Sequence, residues 1–384
     1  MLLSELPTPA LILDRSVLAR NLRAMSDRMR NLGVNLRPHM KTAKSKKIGK
    51  LATDGHSGGI TVSTLREAQH FADHNFRDIT YAIGITPDKL AVVSRIQESG
   101  TRLNLLTDDV GVAQAIINAT HSKNEYSVLI DVDTGYHRSG VLPESDTLLA
   151  IAQTLNDAPH VHLAGVLTHA GHSYEALDSG AIARIAEEER AGAVTAAERI
   201  RDAGIACPSV SVGSTPTMQF AENLDGVTEG RPGNYMFYDL SMVGRGVCEL
   251  DHIAVSVLTE VIVNLPDRDR VLIDAGALAM SHDRSADSGG MSGVGFGMVC
   301  NLKGQPMESF VVKKASQEHG WLGMCDDESR LPLQKFPIGS RWRVLPNHSC
   351  MTCAAYDNYY VVNGGNEVVD VWPRVNGWDT GSGR

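Results

Sequence analysis

The sequence predicts an α/β protein, a TIM-like (β/α)8 barrel followed by a mostly β domain. Over the first two-thirds of the 384 residues, eight apolar or β-branched runs alternate with segments of helical periodicity, which is the count of a (β/α)8 barrel. From about residue 245 helical periodicity nearly disappears, and strand-like runs separated by Gly, Pro, Asp and Asn replace it. A doubly wound open sheet is the structural alternative for the first part.

The barrel strands are expected in chain order, with helices between them. The strand-like runs cover residues 35–41, 59–64, 78–84, 102–108, 127–133, 161–170, 209–215 and 227–239. The clearest helical segments, 108–121 and 181–204, place apolar residues at three- and four-residue steps, and Gly204 is suited to end the second one.

The second part is expected to be a separate domain. We predict that residues 10–242 form the barrel and that residues 245–384, with residues 1–9, form the β domain. Its strand-like runs cover residues 253–264, 270–277, 309–318, 340–346 and 358–373. The glycine-rich segment 285–297 is expected to be a loop.

Composition excludes several classes of protein. The formal net charge is -9 and no cluster of Lys and Arg forms a basic stripe, which argues against nucleic acid and anionic membranes as partners. No apolar run is long enough to span a bilayer, and the N-terminal residues lack the pattern of a signal peptide. The six cysteines do not have the dense spacing of a secreted disulfide scaffold. We therefore expect a cytoplasmic protein.

Chemically notable residues fall where barrel strands end, which is where barrel enzymes place their active sites. Lys41 ends the first strand, and a lysine in a partly desolvated barrel mouth can form a Schiff base with an aldehyde. Asp131, Asp133, His137 and Arg138 follow the fifth strand, and His169, His172 and Tyr174 follow the sixth.

The last two barrel strands lead into small turns. Gly213, Ser214 and Thr215 precede Pro216 at a predicted helix start, where backbone N–H groups favour phosphate. After the eighth strand, Gly233 would let the backbone approach a ligand, and Arg231 could meet a ring nitrogen or an anion. A lysine, a phosphate cup, a histidine and an arginine together describe a pyridoxal 5'-phosphate site. A barrel that binds a phosphorylated sugar is the alternative.

The segment "NHSCMTC" in the second part raises a separate question. His348, Cys350 and Cys353 lie within six positions. They could form a structural zinc site, a pair of ordinary buried cysteines, or part of an active site.

Six motifs together resemble one known family: "RPHMKT", "LTHAGHSY", "VSVGSTPT", "RPGNYMFYD", "SQEHG" and "LPNHSC". They look like the D-serine dehydratase and D-threonine aldolase-like family, which has the alanine racemase fold type of pyridoxal phosphate enzymes. The resemblance spans nearly the whole chain. It implies a homodimer, a divalent metal beside the cofactor, and a lyase that converts D-3-hydroxy amino acids, such as D-threo-3-hydroxyaspartate or D-serine, to a 2-oxo acid and ammonia.

The resemblance also implies roles for individual residues. Lys41 matches the lysine that binds the cofactor covalently and acts on substrate, and His169 matches the position that lies against the cofactor ring. Arg231 matches the position that meets the pyridine nitrogen. Gly213, Ser214, Thr215, Gly233 and Asn234 match the phosphate cup. Arg138 and Tyr174, which lie near the barrel mouth, are further candidates for cofactor binding.

His348 and Cys350 match the two protein ligands of a catalytic metal. A structural zinc site needs four protein ligands, and no partner for the Cys-x-x-Cys pair is apparent, so Cys353 is not expected to bind the metal. Related aldolases have aspartate where Cys350 stands. A thiolate with an imidazole favours Zn²⁺, whereas a carboxylate site favours Mn²⁺ or Mg²⁺, so Zn²⁺ is expected and Mn²⁺ or Mg²⁺ is the alternative.

Two other functions stay open at this point. The same metal and cofactor can support an aldolase that cleaves a D-3-hydroxy amino acid to glycine and an aldehyde. A second alternative is a small carrier of pyridoxal phosphate, but carriers of this type resemble a barrel that lacks a β domain, and this chain has about 140 residues after the barrel.

Overall fold

The structure is a computed structural model that describes residues 1–120, 125–326 and 328–380. The strands are β1 (Ala10–Asp14), β2 (Asn35–Leu36), β3 (Ile60–Val62), β4 (Asp78–Gly84), β5 (Arg102–Thr107), β6 (Tyr126–Val132), β7 (Val161–Thr168), β8 (Ser209–Val212), β9 (Glu229–Gly230), β10 (Val255–Leu265), β11 (Arg270–Ile273), β12 (Gly297–Cys300), β13 (Pro306–Ala315), β14 (Gly320–Met324), β15 (Arg341–Pro346), β16 (Asn358–Val362) and β17 (Asp370–Pro373). The α-helices are α1 (Arg15–Asn31), α2 (Lys46–Ala52), α3 (Leu65–Asp73), α4 (Leu90–Gln97), α5 (Val110–Asn118), α6 (Asp146–Asn156), α7 (Ser179–Asp202), α8 (Thr215–Phe220), α9 (Leu240–Gly244), α10 (Ala277–Met280), α11 (Ser285–Ser288) and α12 (Ser349–Cys353).

The chain divides into two compact units. Among the described residues, the barrel unit contains 25–120, 125–176, 180–233 and 375–380. The β unit contains residues 1–24, 177–179 and 234–374. Among the described residues, no helix has the length and apolar character needed to cross a membrane.

The barrel unit has the predicted parallel strands. They are ordered β2-β9-β8-β7-β6-β5-β4-β3, and a bridge between His39 and Thr61 joins the segment after β2 to β3, so the sheet closes on itself. Every predicted barrel strand is present, although β2 and β9 have only two residues each. Pro38 and Pro232 lie just beyond these two short strands, and proline cannot donate to a strand ladder.

The two clearest predicted helices are also present. Helix α5 begins after Asp109, whose side chain accepts a hydrogen bond from the N–H of Val112 at 2.8 Å. The last residue of that prediction, His121, lies outside the described residues. Helix α7 ends before Gly204, whose φ of +80° suits a residue without a side chain.

The β unit is built around a closed antiparallel sheet. Strands β11, β14, β13, β12, β15 and β10 pair in that order, and β10 also pairs with β11. Strands β1, β16 and β17 extend the sheet from β10. One of its apolar clusters includes Val257, Ile273, Phe310, Phe336 and Val344. Strands β12 and β14 were not predicted, because both are short and begin with glycine, and they are held by pairing with β13.

The compact units differ from the predicted domain limits. Residues 10–24 lie in the β unit because β1 pairs with β10 and β16, and the chain leaves that unit within helix α1. The β unit begins again at residue 234, whereas the predicted domains meet at 242–245, and those domain limits stay a prediction. Residues 381–384, assigned by prediction to the β domain, lie outside the described residues.

Candidate active site

Lys41 lies in a turn at the strand ends of the barrel unit. Beyond β2 the chain bridges β3 at His39, the N–H of Met40 donates to the carbonyl of Thr61 at 2.8 Å, and Lys41 follows. The turn is closed by a 2.7 Å hydrogen bond from the N–H of Lys44 to the carbonyl of Met40. The side chain of Lys41 is exposed, so the partial desolvation expected from sequence is not seen.

The turn is anchored by a buried ion pair. The ammonium of Lys44 lies 3.2 Å from Oε1 of Glu67 on α3, and that carboxylate is 1% exposed. The other carboxylate oxygen accepts the N–H of Ser63 at 3.0 Å. Because Lys44 is three residues from Lys41, this pair fixes the backbone from which Lys41 projects.

Two histidines flank the lysine turn in an electropositive cluster. Burial, and then the nearby Lys41 and Arg231, hold the pKa of His39 well below its usual value. The same three causes, joined by Arg138, lower the pKa of His169 to about 3. Both histidines are therefore neutral at physiological pH, and the cationic side chains around them favour an anionic ligand.

Arg231 is held against two barrel strands. It is 4% exposed, and it donates to Oγ of Ser211 at 2.8 Å and to the carbonyl of Thr168. Burial lowers its pKa to about 10, although the nearby carboxylates of Glu189, Glu229 and Asp131 act to raise it. Arg231 therefore occupies a fixed position in the cluster with part of its donor capacity already used.

The turn after β8 does not present free amides as the sequence suggested. The N–H of Gly213 donates to Oε1 of Glu189 at 3.0 Å, and the N–H of Ser214 donates to Oγ1 of Thr217 at 2.9 Å. The N–H of Thr215 lies 3.4 Å from the hydroxyl of Tyr174. All three N–H groups already have acceptors within the protein. The turn therefore lines the site with a fixed backbone and does not offer these N–H groups to a phosphate.

Gly233, after β9, makes a close backbone approach. A side-chain carbon there would lie 2.8 Å from the carbonyl oxygen of His39, so only glycine fits without movement. Within the described residues, no hydrogen-bond acceptor is found for the N–H groups of Gly233 or Asn234. Both are donors that a phosphate could use.

Several aromatic side chains surround the ring of His169. Tyr136 meets its ring edge-on, with centroids 6.3 Å apart, and stacks on His172 at 6.0 Å. Tyr174 lies 6.5 Å from His169 on another side, and the guanidinium of Arg138 lies 5.3 Å from the Tyr136 ring centre. The structure thus brings the predicted residues after β6 and β7 together.

The candidate metal ligands lie in the β unit, at the start of α12. Nδ1 of His348 lies 2.7 Å from Oδ2 of Asp283. Burial opposes the charge on His348, but hydrogen bonds to Asp283 and to Cys350 outweigh it and raise its pKa to about 11. His348 and Cys350 thus converge, and the negative groups around them would also favour a divalent cation.

Cys353 is in a different environment. It is fully buried, and burial raises the pKa of its thiol to about 12, with Arg374 and Tyr359 beside it. The carbonyl of Cys353 accepts a hydrogen bond from Arg374. Cys353 is therefore a core residue of the β unit, and its exclusion from the metal site stays a prediction. Among the described residues, no group of three or more His, Cys, Asp or Glu side chains could hold a metal.

Asp239 connects the ligand segment to Asn234 within the β unit. Its Oδ2 accepts from Nδ2 of Asn234 at 2.7 Å and from the N–H of Ser349 at 2.9 Å. Ser349 lies between His348 and Cys350, so the carboxylate fixes the backbone of both candidate ligands.

Sequence reasoning missed four of these residues. His39 lay inside the motif that identified Lys41. Glu189 could have been found, because it is a carboxylate on the buried stripe of α7 between Ala186 and Ala193. Asp239 is the last residue of the motif "RPGNYMFYD" and caps helix α9, but the motif was used only for other residues. Asp283 is a single acidic residue in a loop, and nothing in its local sequence marks it.

Two known protein domains match most of this chain. The alanine racemase N-terminal domain matches residues 13–241, and the serine dehydratase domain matches residues 254–362. The chain therefore belongs to the alanine racemase-like family, and to its branch of D-threo-3-hydroxyaspartate and D-serine dehydratases.

Full-length relatives support that branch. The D-threo-3-hydroxyaspartate dehydratase of Delftia sp. (strain HT23) is 43% identical, with 98% of this chain and 99% of the relative covered. Its solved structure superposes with a TM-score of 0.94 over 98% of this chain and all of that one. The D-serine dehydratase of Dictyostelium discoideum is 33% identical, with 98% of both chains covered.

A more distant aldolase and two variant structures of the dehydratase also resemble this chain. A D-threonine aldolase from Arthrobacter sp is 27% identical over 96% of this chain and 92% of its own. Solved structures of D-threo-3-hydroxyaspartate dehydratase include a histidine-to-alanine variant and a cysteine-to-alanine variant in the metal-free form, each 43% identical to this chain, covering 98% of it, with a TM-score of 0.95.

Proposed function

We propose that this protein is a pyridoxal 5'-phosphate- and divalent-metal-dependent dehydratase of D-3-hydroxy amino acids. D-threo-3-hydroxyaspartate and D-serine are the candidate substrates. The observation that carries the proposal is the cluster at the barrel strand ends, where Lys41 lies beside two neutral histidines and Arg231 in a chain 43% identical to a dehydratase.

The cofactor would be held by residues of this cluster and the neighbouring turns. Lys41 is the residue proposed to bind its aldehyde, and His169 the residue proposed to lie against its ring. Arg231 would face its pyridine nitrogen. The phosphate would take the free N–H groups of Gly233 and Asn234. Arg138, Tyr174, Gly213, Ser214 and Thr215 would complete the wall of the site.

A divalent metal would be held by His348 and Cys350. Two protein donors leave coordination positions open, which is the pattern of a catalytic ion. An imidazole and a thiolate form a donor set that suits Zn²⁺ better than Mg²⁺ or Mn²⁺. The buried Cys353 would stay outside the coordination sphere.

When bound, pyridoxal phosphate supplies an electron sink at the substrate α-carbon, and the metal supplies a Lewis acid at the β-hydroxyl. Lys41 is the base that would remove the α-proton, since its exposed amine is free to reach a ligand at the strand ends. Neutral His169 would add no positive charge at the cofactor face. The products are ammonia and a 2-oxo acid, oxaloacetate from 3-hydroxyaspartate or pyruvate from D-serine.

The choice of dehydration over cleavage rests on Cys350. Aldolases of the resembling type place a carboxylate at this position, whereas this chain has a cysteine. The full-length identities, 43% and 33% with dehydratases against 27% with a D-threonine aldolase, support the same choice. We also propose that the protein is cytoplasmic and forms a homodimer. Light scattering of the purified protein would test the oligomeric state.

Two measurements test the proposal. Borohydride reduction of the cofactor-loaded protein should attach the cofactor to a peptide that contains Lys41, and Lys41→Ala should abolish turnover. A panel of D-serine, D-threonine and the 3-hydroxyaspartate isomers then identifies the substrate. Turnover by Lys41→Ala at the wild-type rate would remove this assignment.

A further inference from the structure

We propose that Asp283 is a positioning residue for the metal. It would fix the imidazole of His348 so that Nε2 faces the ion. The inference rests on the proposed function, which assigns the metal to His348 and Cys350. An imidazole that binds a metal is neutral and has one N–H and one lone pair, so His348 would lose its second proton when the ion binds. Since Nδ1 lies 2.7 Å from Oδ2 of Asp283, Nδ1 carries the hydrogen and Nε2 keeps the lone pair that can bind a metal.

Asp283 is itself held rigidly. Its Oδ1 accepts the N–H of Ser285 at 2.7 Å, and its own N–H donates to Oγ of Ser281 at 3.1 Å. Its carbonyl accepts from Nδ2 of Asn347 at 3.0 Å, and Asn347 directly precedes His348. The loop and the ligand segment are therefore joined at two points, so the carboxylate meets the ring at a fixed angle.

The geometry does not favour Asp283 as a third ligand. One carboxylate oxygen is engaged by the N–H of Ser285 and the other by His348. Direct coordination would require breaking one of these bonds.

The test compares metal affinity in matched variants. Metal-free protein would be titrated with Zn²⁺ against a chromophoric chelator for Asp283→Ala, Asp283→Asn and the control Asp287→Ala. Asp287 lies in the next helix and pairs with Arg284 at 2.5 Å, not with His348. We expect Asp283→Ala to bind zinc roughly 10- to 100-fold more weakly, the usual effect of losing such a partner. Asp283→Asn should lose less, because its amide oxygen can still accept from Nδ1. Asp287→Ala should match the wild type.

A second readout reports the ring itself. Long-range ¹H–¹⁵N spectra of zinc-loaded protein with labelled histidine distinguish binding through Nε2 from binding through Nδ1. The His348 signals would be assigned by their absence in His348→Gln. The wild type should bind through Nε2, and Asp283→Ala should show a mixture or weak binding. This readout would not move if Asp283 only stabilised the fold, and bound-cofactor absorbance would verify that each variant is folded.

The outcomes separate the inference from the proposed function. If Cys350→Ala binds zinc as tightly as the wild type, the metal assignment itself fails. If Cys350→Ala loses zinc but Asp283→Ala keeps wild-type affinity, only the role of Asp283 fails. Binding of His348 through Nδ1 in the wild type, or Asp283→Asn as weak as Asp283→Ala, would also overturn the inference.

Discussion

Glu189 should control how tightly the barrel unit holds its cofactor. This carboxylate on α7 is buried, and its Oε1 accepts the N–H of Ala170 at 2.9 Å and the N–H of Gly213 at 3.0 Å. Ala170 follows His169, and Gly213 opens the turn after β8. One oxygen therefore joins the two turns that would lie against the cofactor.

The magnitude follows from the two hydrogen bonds. Glu189→Ala leaves two buried N–H groups without an acceptor, at about 1–3 kcal/mol each. Burial raises the pKa of Glu189, so removing the carboxylate also relieves an electrostatic cost. A net local cost of about 2 kcal/mol corresponds to about 30-fold weaker cofactor binding, at about 1.4 kcal/mol per tenfold. Glu189→Gln keeps an accepting oxygen and should lose much less.

The assay is equilibrium binding of pyridoxal phosphate to the apoprotein, followed by absorbance, with urea unfolding to monitor the fold. Glu188→Ala is the matched control, because Glu188 is the adjacent residue of α7 and is exposed. Cofactor binding by Glu189→Ala equal to that of Glu188→Ala would refute the reasoning. So would equally weak binding by Glu189→Gln and Glu189→Ala.

Three further predictions concern other parts of the two units. Gly213→Ala should weaken cofactor retention more than the control Gly33→Ala. Both glycines have a positive φ, but only a Cβ at Gly213 would contact a neighbour, Met218 at 2.9 Å. Equal cofactor retention by the two variants would contradict this. Cys350→Ala should lose the metal and Cys353→Ala should keep it, with metal content as the measurement and the reverse pattern as the contradiction. Burial raises the pKa of Asp131 from 3.8 to about 6. The folded protein therefore favours the protonated carboxyl, and this contribution to stability is lost as pH rises through about 6. Asp131→Asn should therefore make the apoprotein more stable by up to about 3 kcal/mol above pH 6 and by little below pH 4, and urea unfolding that shows a pH-independent difference would exclude this.

Much of the fold could be read from the sequence, because parallel barrel strands are buried on both faces and appear as continuous apolar runs. Strands that depend on their partners were harder to find. Strand β14 has the sequence "GWLGM", with two glycines, and is defined by its pairing with β13 and β11. The membership of β1 in the β unit depends on contacts with residues more than 240 positions away.

The site divides in the same way. Lys41, His348 and Cys350 stand in motifs whose order and spacing carry information. Asp283 contacts His348 across 65 positions, and no local pattern predicts such a contact. The amides after β8 show the converse problem, because the local pattern suggested open donors while Glu189, on a separate helix, takes one of them.

The central claim, dehydration of a D-3-hydroxy amino acid, is tested most directly by the products formed from D-threo-3-hydroxyaspartate. The protein loaded with pyridoxal phosphate and zinc would be incubated with the substrate, and ammonia, oxaloacetate and glycine would be measured against consumption, with Lys41→Ala as the blank. We predict one ammonia and one oxaloacetate for each substrate consumed, and no glycine. Glycine in proportion to substrate, with no ammonia above the blank, would contradict the account and identify an aldolase.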